Sequence, residues 1–322
     1  MNGGLFQDFG KQTAKHWTEK LESDLRGKPL ESLMWKTSGL EGKPFYTAED
    51  LDFELFNYAH FSQDSSLFGD RFWVNYQPIT VDDLSMANQK ALSALANGAN
   101  GVLFRLSSTP NWAVLLKDIQ PEYCHLSFEL TDDVDSSEFF ESYSKYLDTN
   151  GTDTSKVSGF ASANSRQISS PSHVKTLGFE VKNGINSASS IAIALAEMIE
   201  QIDIHTNSGL AIEDCLNKVF LRMIISDDFF LEIAKHRAIR RLFSSLASSY
   251  GVQNPRLEIV SQAGPWTSEI DDPHSFMLHA TTQAMSAILG GADALLVEPF
   301  YNIFPNKPAL AERIARNIST IL

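Results

Sequence analysis

From Val260 to Phe300 the chain reads strand, charged turn, helix, glycine stop, strand, and that order leaves few folds open. Val260-Ser-Gln-Ala263 has strand character, and the polar run from Trp266 to His274 turns the chain. Asp272 before Pro273 predicts a helix start, because the carboxylate can accept a first-turn N–H and proline's fixed φ suits the first helical position. Phe276, Ala280, Ala284, Ala287 and Ile288 then fall at helical spacing, a small-residue face that lets the helix of Ser275 to Leu289 lie close on a sheet. Gly290-Gly291 stops it, since glycine takes the left-handed conformation without a Cβ clash. Ala294 to Glu298 follows as a strand. A βαβ unit of this kind needs a parallel sheet with right-handed crossovers.

The same alternation extends back to Arg71. Strands are expected at Phe72 to Ile79, Gly101 to Leu106, His125 to Leu130, Lys156 to Ala163, Thr176 to Val181, Val219 to Ser226, Arg256 to Gln262 and Ala294 to Glu298. Helices follow all but the fourth, whose sequel from Asn164 to His173 is a serine-rich loop, and the chain runs out in a helix from Pro308. Eight such repeats describe an α/β chain folded as a (βα)8 TIM barrel over residues 71–322. Residues 1–70 form an N-terminal helical arm and linker, with Phe6, Phe9, Trp17 and Leu21 on one stripe, suited to a partner subunit.

The formal charge of −14 argues against a nucleic-acid partner, whose phosphates call for a basic surface. No apolar run reaches membrane-spanning length and the N-terminus lacks a signal peptide's pattern, so no membrane contact and a cytoplasmic location are expected. Cys124 and Cys215 read as two reduced thiols, with no metal site. Asp132, Asp133 and Asp135 lack the glycine and closing glutamate of a calcium loop and read as the start of a helix at Ser136.

Several runs carry a family resemblance. Gln262-Ala-Gly-Pro-Trp266, Asp272-Pro273, Ala284-Met-Ser-Ala-Ile-Leu-Gly-Gly291, Phe229 to Leu242, Arg313 to Asn317 and Lys43-Pro-Phe-Tyr-Thr-Ala48 together resemble the barrel domain of methylmalonyl-CoA mutases. The likeness is strongest to the small, non-catalytic subunit of the heterodimeric bacterial enzymes, where Gly290-Gly-Ala-Asp293 precedes a strand ending in Pro-Phe. It implies a role in the adenosylcobalamin-dependent isomerase that interconverts methylmalonyl-CoA and succinyl-CoA, with a catalytic large subunit as partner. Acyl-CoA stays open as a second ligand.

Catalytic members of that family place a tyrosine after an Arg-Gln pair at the end of the first strand. Here Tyr76 stands at the arginine position, Gln77 matches, and Pro78 takes the place of the tyrosine. The family's histidine after the fifth strand has no counterpart in Phe179 to Gly184, and His279 stands where an arginine is expected. Gln77, Gln262 and His279 are therefore expected to outline a vestigial substrate pocket with no catalytic residue. The family holds cobalamin on a C-terminal domain with an Asp-x-His-x-x-Gly motif. That motif is missing from these residues, so the domain is expected to be absent and the cofactor not bound by this chain.

Polar residues at the predicted strand ends, Gln77, Arg105, Glu129, Asn164, Lys182, Asp227, Gln262 and Glu298, would ring the mouth of such a barrel. Two alternatives stay open: a catalytic acyl-CoA mutase barrel whose cobalamin domain lies on another chain, or a barrel with separate acyl-CoA chemistry through Glu129, Lys182 or Gln262. The bulky apolar residues along the strands predict a filled interior, closed to a CoA-length ligand.

Overall fold

A computed structural model describes residues 13–37, 40–50, 73–163, 170–171, 173–182, 186–253, 255–264, 273–300, 306 and 308–322. The chain divides into two compact units, Met1–Tyr58 and Ala59–Leu322.

In the first unit, helix α1 (Ala14–Leu25) starts at Thr13, whose hydroxyl accepts the His16 N–H, and ends at Arg26 in the left-handed conformation. It buries none of its residues. Trp17 stacks on Phe45 with ring centroids 3.3 Å apart. A short antiparallel pair follows, β1 (Trp35–Thr37) with β2 (Leu40–Gly42). Phe6 and Phe9, and the helix expected over Ala48 to Ala59 apart from a single 3-10 turn at Ala48–Asp50, lie outside the described residues.

The second unit is an α/β barrel of parallel strands. Its strands are β3 (Val74–Thr80), β4 (Gly101–Leu106), β5 (His125–Leu130), β6 (Ser158–Ser162), β7 (His173–Lys175), β8 (Leu177–Val181), β9 (Val219–Ile224), β10 (Glu258–Ala263) and β11 (Ala294–Val297). The hydrogen-bonded order is β7-β6-β5-β4-β3-β11-β10-β9-β8, every neighbour parallel. β7 and β8 are one continuous run interrupted at Thr176. Its first part pairs with β6 and its second with β9, so eight strands form the wall, and the fifth, expected from Thr176, starts earlier, at His173, and carries the seam. Lys218 fastens this seam. Its ammonium donates to Ser170 Oγ at 2.7 Å, Pro171 O at 3.0 Å and Val174 O at 3.1 Å.

The helices outside the wall are α2 (Leu84–Ala96), α3 (Trp112–Leu115), α4 (Ser136–Thr149), α5 (Ser187–Asn207), α6 (Ile212–Asn217), α7 (Phe229–Ser249), α8 (Pro273–Gly290) and α9 (Pro308–Ile321). Their starts follow from capping side chains. Asp83, Asp135, Asn186 and Asp228 each accept a first-turn N–H, at Met86, Ser137, Ser189 and Leu231. Asp135 thus opens a helix, as its spacing predicts, while Asp272 lies outside the described residues. The short helix α6 has no counterpart in the sequence reading.

The segment from Phe229 to Leu242 and the glycine stop after α8 are joined by contact. His236 is fully buried, with Nδ1 2.7 Å from Glu232 O and Nε2 2.7 Å from Ser261 Oγ. Gly290 leaves room for the His236 side chain, since a Cβ there would sit 2.7 Å from the His236 Cβ and 2.9 Å from the first ring carbon. Arg240 donates to Leu257 O and Gly291 O and pairs with Asp293 at 2.5 Å. Asp293 in turn accepts the Ile259 N–H at 2.7 Å. One arginine therefore ties the end of α8 to α7 and β10.

Candidate functional site

In a parallel barrel the strand ends facing the βα loops form the mouth, where a site would lie. Below that mouth the axis is filled. Alternation along the strands turns Val74, Tyr76, Leu103, Phe160, Phe220 and Leu296 inward, and all are buried in one cluster. The Tyr76 ring meets Phe160 edge-on at 5.4 Å, and Phe160 lies 4.8 Å from Phe220. Two glycines make space for these rings. A Cβ at Gly101 would come within 2.6 Å of Tyr76, and one at Gly178 within 2.5 Å of Phe220. The Tyr76 hydroxyl accepts from Ser127 Oγ at 2.9 Å, and that same oxygen accepts the Phe160 N–H at 3.0 Å. Burial pushes the Tyr76 phenol well above its ordinary pKa, so it stays a neutral part of the wall.

Above this apolar column the next inward positions form a closed polar ring. Arg105 Nε donates to Glu129 Oε2 at 2.8 Å, and Arg222 Nη1 donates to Glu129 Oε1 at 2.7 Å. Arg222 Nε donates to Gln262 Oε1 at 2.6 Å, and Gln262 Nε2 donates to Glu298 Oε1 at 2.8 Å. Glu298 returns to Arg105 through a two-point contact, one arm of which measures 3.2 Å. Two guanidinium groups and two carboxylates balance in charge. Burial alone would raise the Glu129 pKa, but the two arginines outweigh it and hold the carboxyl below its ordinary value. Burial likewise opposes the Arg105 charge, and the bonds to Glu298 and Glu129 overcome it to keep the guanidinium firmly protonated.

Four of the five ring members, Arg105, Glu129, Gln262 and Glu298, are among the strand-end residues read from the sequence. Arg222 is not, because it sits two positions before the end of its strand. Its signal is a lone cation in the apolar run Val219 to Ile224, on the same face as Phe220. Lys182 is exposed beyond β8, and both Glu129 oxygens are taken by arginines, so the structure does not join these two as base and amine. Asn164 lies outside the described residues.

The residues of the expected vestigial pocket do not share one place. Gln262 belongs to the ring. Pro78 is buried at the mouth on the inward face, two residues after Tyr76. Gln77 points the opposite way, where its Oε1 accepts from Arg316 Nη1 at 3.2 Å. There it lines a cavity of about 240 Å3 between α2 and α9, with Met86, Lys90, Ser93, Glu312 and Arg316. His279 stands on α8, half-exposed, with Nδ1 3.4 Å from Asp227 Oδ1; Asp227 also accepts from Gln283 at 2.8 Å. Among the described residues no group of three or more His, Cys, Asp or Glu could hold a metal ion, and both cysteines are free. No described helix is long and apolar enough to cross a membrane.

Comparisons with known proteins bear on the whole barrel. The methylmalonyl-CoA mutase small subunit of Porphyromonas gingivalis is 29% identical over 360 aligned positions, covering 99% of this chain and 58% of that protein. The probable small subunit of Mycobacterium tuberculosis is 31% identical over 153 positions, 43% of this chain and 24% of its own. The Escherichia coli methylmalonyl-CoA mutase is 31% identical over 142 positions, covering 43% of this chain and 20% of its own. The chain thus spans little more than half the length of the longest-matching of these relatives. Yersinia pestis DHPS overlays 90% of this chain and 99% of its own at 15% identity and a TM-score of 0.37, too loose a fit to carry an argument. A family model described as methylmalonyl-CoA mutase matches residues 154–322, more than half of the chain and most of the wall that holds Arg222, Gln262 and Glu298. With barrel, seam and helix locks all falling within that match or within the full-length alignment, the chain belongs to the methylmalonyl-CoA mutase family.

Proposed function

We propose that this chain is a non-catalytic small-subunit barrel of a methylmalonyl-CoA mutase, which stabilises a catalytic large subunit rather than turning over acyl-CoA itself. One observation carries the reading: the barrel axis is filled. Tyr76, Phe160 and Phe220 occupy the path a pantetheine arm would need, and the ring from Arg105 to Glu298 closes the mouth above them. A substrate carboxylate or carbonyl would find both arginines already bonded to carboxylates, so the groups that could stabilise developing charge are spent on each other. Pro78 has no hydroxyl to offer at the mouth.

Adenosylcobalamin, the cofactor of the mutase family, does not fit this mouth. The ring side chains satisfy one another, and the imidazole of His279 is held to Asp227 on the outer helix layer. In this reading the cofactor and the isomerisation belong to the large subunit of the assembled enzyme. Separate acyl-CoA chemistry through Glu129, Lys182 or Gln262 is less well supported, since Glu129 and Gln262 are engaged in the ring and Lys182 stands exposed beyond β8, apart from them.

Titration calorimetry tests the reading. The isolated chain should give no stoichiometric heat with methylmalonyl-CoA or adenosylcobalamin, while mixing it with a cognate large subunit should give a complex with a raised melting temperature. Tight one-to-one binding of either small molecule to the isolated chain would sink the proposal.

A further inference from the structure

Helices α7 and α8 lie side by side over β9, β10 and β11, joined by His236 under Gly290 and by Arg237, which donates to Leu289 O at 3.4 Å. Their outer surfaces carry an unusual set of residues. On α8, Leu278, Thr282, Met285 and Leu289 recur at helical spacing, and all are exposed, Leu278 at 70% and Leu289 at 50%. On α7, Phe230, Ala234 and Ala238 form the matching row, with Phe230 80% exposed, and Leu242 extends it. So many large exposed apolar side chains on two neighbouring helices are uncommon on a chain that works alone.

Charge narrows the occupant. The chain carries 40 acidic residues against 26 basic ones, yet the two helices hold a single carboxylate, Glu232, and it is fully buried. Away from its rim end, where Asp227 and Asp228 sit, the charges that the described residues place on this face are positive, from exposed Arg237 and Arg241. A second copy docking through the same face would set like charges together, which disfavours a symmetric homodimer. A different chain with an apolar ridge edged by carboxylates fits. Helices of 21 and 18 residues are about 30 Å long and pack about 10 Å apart, so the face approaches the roughly 800 Å2 that one side of a standard interface uses.

We infer that the α7–α8 face is the docking surface for the catalytic large subunit, with Phe230, Leu278 and Leu289 as its apolar anchors and Arg237 and Arg241 reading acidic groups on the partner. This rests on the small-subunit reading above. The test compares the intact chain with Leu278→Glu/Leu289→Glu and with Arg237→Glu/Arg241→Glu, measuring affinity for the large subunit, self-association by sedimentation and melting temperature. The leucine variant should bind about 100-fold more weakly with an unchanged melting temperature, because its side chains are already in water. The arginine variant should bind about tenfold more weakly, with a loss that shrinks as salt is raised. Undiminished binding by both variants would overturn the inference while leaving the small-subunit reading in place. So would a wild-type homodimer that the leucine variant breaks, or a melting temperature that falls by several degrees with binding intact, the sign of a face covered by its own chain. Failure of the wild-type chain to bind any large subunit would overturn both.

Discussion

Arg222 Nη1 lies 2.7 Å from Glu129 Oε1, a bond that crosses the inside of the barrel from the sixth strand of the wall to the third. Glu129 accepts from Arg105 with its other oxygen, so one carboxylate holds two guanidinium groups. Replacing it by glutamine keeps the shape and removes the charge. Glu129→Gln should destabilise the barrel by roughly 2–3 kcal/mol, at the low end for a buried pair because the group is partly open to water. Urea denaturation at neutral pH measures this.

The same carboxyl predicts a pH dependence. Its folded pKa is held below the ordinary 4.5, so its contribution is complete above that value and disappears as pH falls through the folded pKa. Wild type should therefore lose stability more steeply below about pH 4.5 than Glu129→Gln does. Parallel slopes for the two proteins would contradict the pairing.

At the axis, Gly101 and Tyr76 share space that a methyl group would fill. Gly101→Ala should cost about 1–3 kcal/mol by overpacking, since its Cβ would sit 2.6 Å from the ring. In the Tyr76→Leu background the same change should be much milder. A double-mutant cycle should give a coupling energy of about 1 kcal/mol or more, and additive effects would mean the ring does not lie over that glycine.

Outside the wall, Gly290→Ala drives a Cβ against His236, which cannot retreat without giving up its bonds to Glu232 O and Ser261 Oγ. The expected loss is about 2 kcal/mol or more. The check is thermal melting, with Gly291→Ala, at a position of φ 96, as the comparison for pure backbone strain. Only the Gly290 change should be relieved when His236 is replaced by glycine, because the His236 Cβ, which alanine would keep, is the atom nearest the added methyl.

At the seam, Lys218→Met keeps the stem and deletes the ammonium that binds Ser170, Pro171 and Val174. Amide hydrogens of Val174 and Leu177 should exchange at least tenfold faster, while those of β4 stay protected. Equal protection across both regions would show that the lysine is not the fastener.

Much of this architecture is legible in the sequence because it rests on local chemistry. Asp135 announces a helix start, and alternating apolar strands announce the wall. The runs that carry the family resemblance most strongly, Phe229 to Leu242 and Gly290 to Asp293, are the two sides of one packing contact, which is why they are distinctive without lining the mouth. What the sequence hides is direction and distance. Gln77 and Pro78 are neighbours, yet strand alternation sends one outward to Arg316 and the other to the mouth. Arg222 escapes a reading of strand ends because the ring draws on a layer set by register between strands, and register is a tertiary property. The break at Thr176 is likewise invisible, since it reflects which neighbour each half of the strand finds.

That break has a consequence for how the chain reaches its final form. The apolar shell of the barrel also divides there: one cluster runs from Ile79 to Val174, a second from Leu177 to Ile259, and a third, from Ile225 to Ile318, completes the second half and takes in Trp73. Each half can gather its shell from contacts near in sequence, a low-contact-order assembly that favours speed. The bonds Arg105 to Glu298 and Arg222 to Glu129 both cross between the halves. Bonds that need both halves in place are expected to form late, so substitutions in them should leave the folding rate nearly untouched and speed unfolding, with φ-values close to zero. On that outcome the ring at the mouth would set how long the barrel stays shut, a kinetic role that needs no substrate at all.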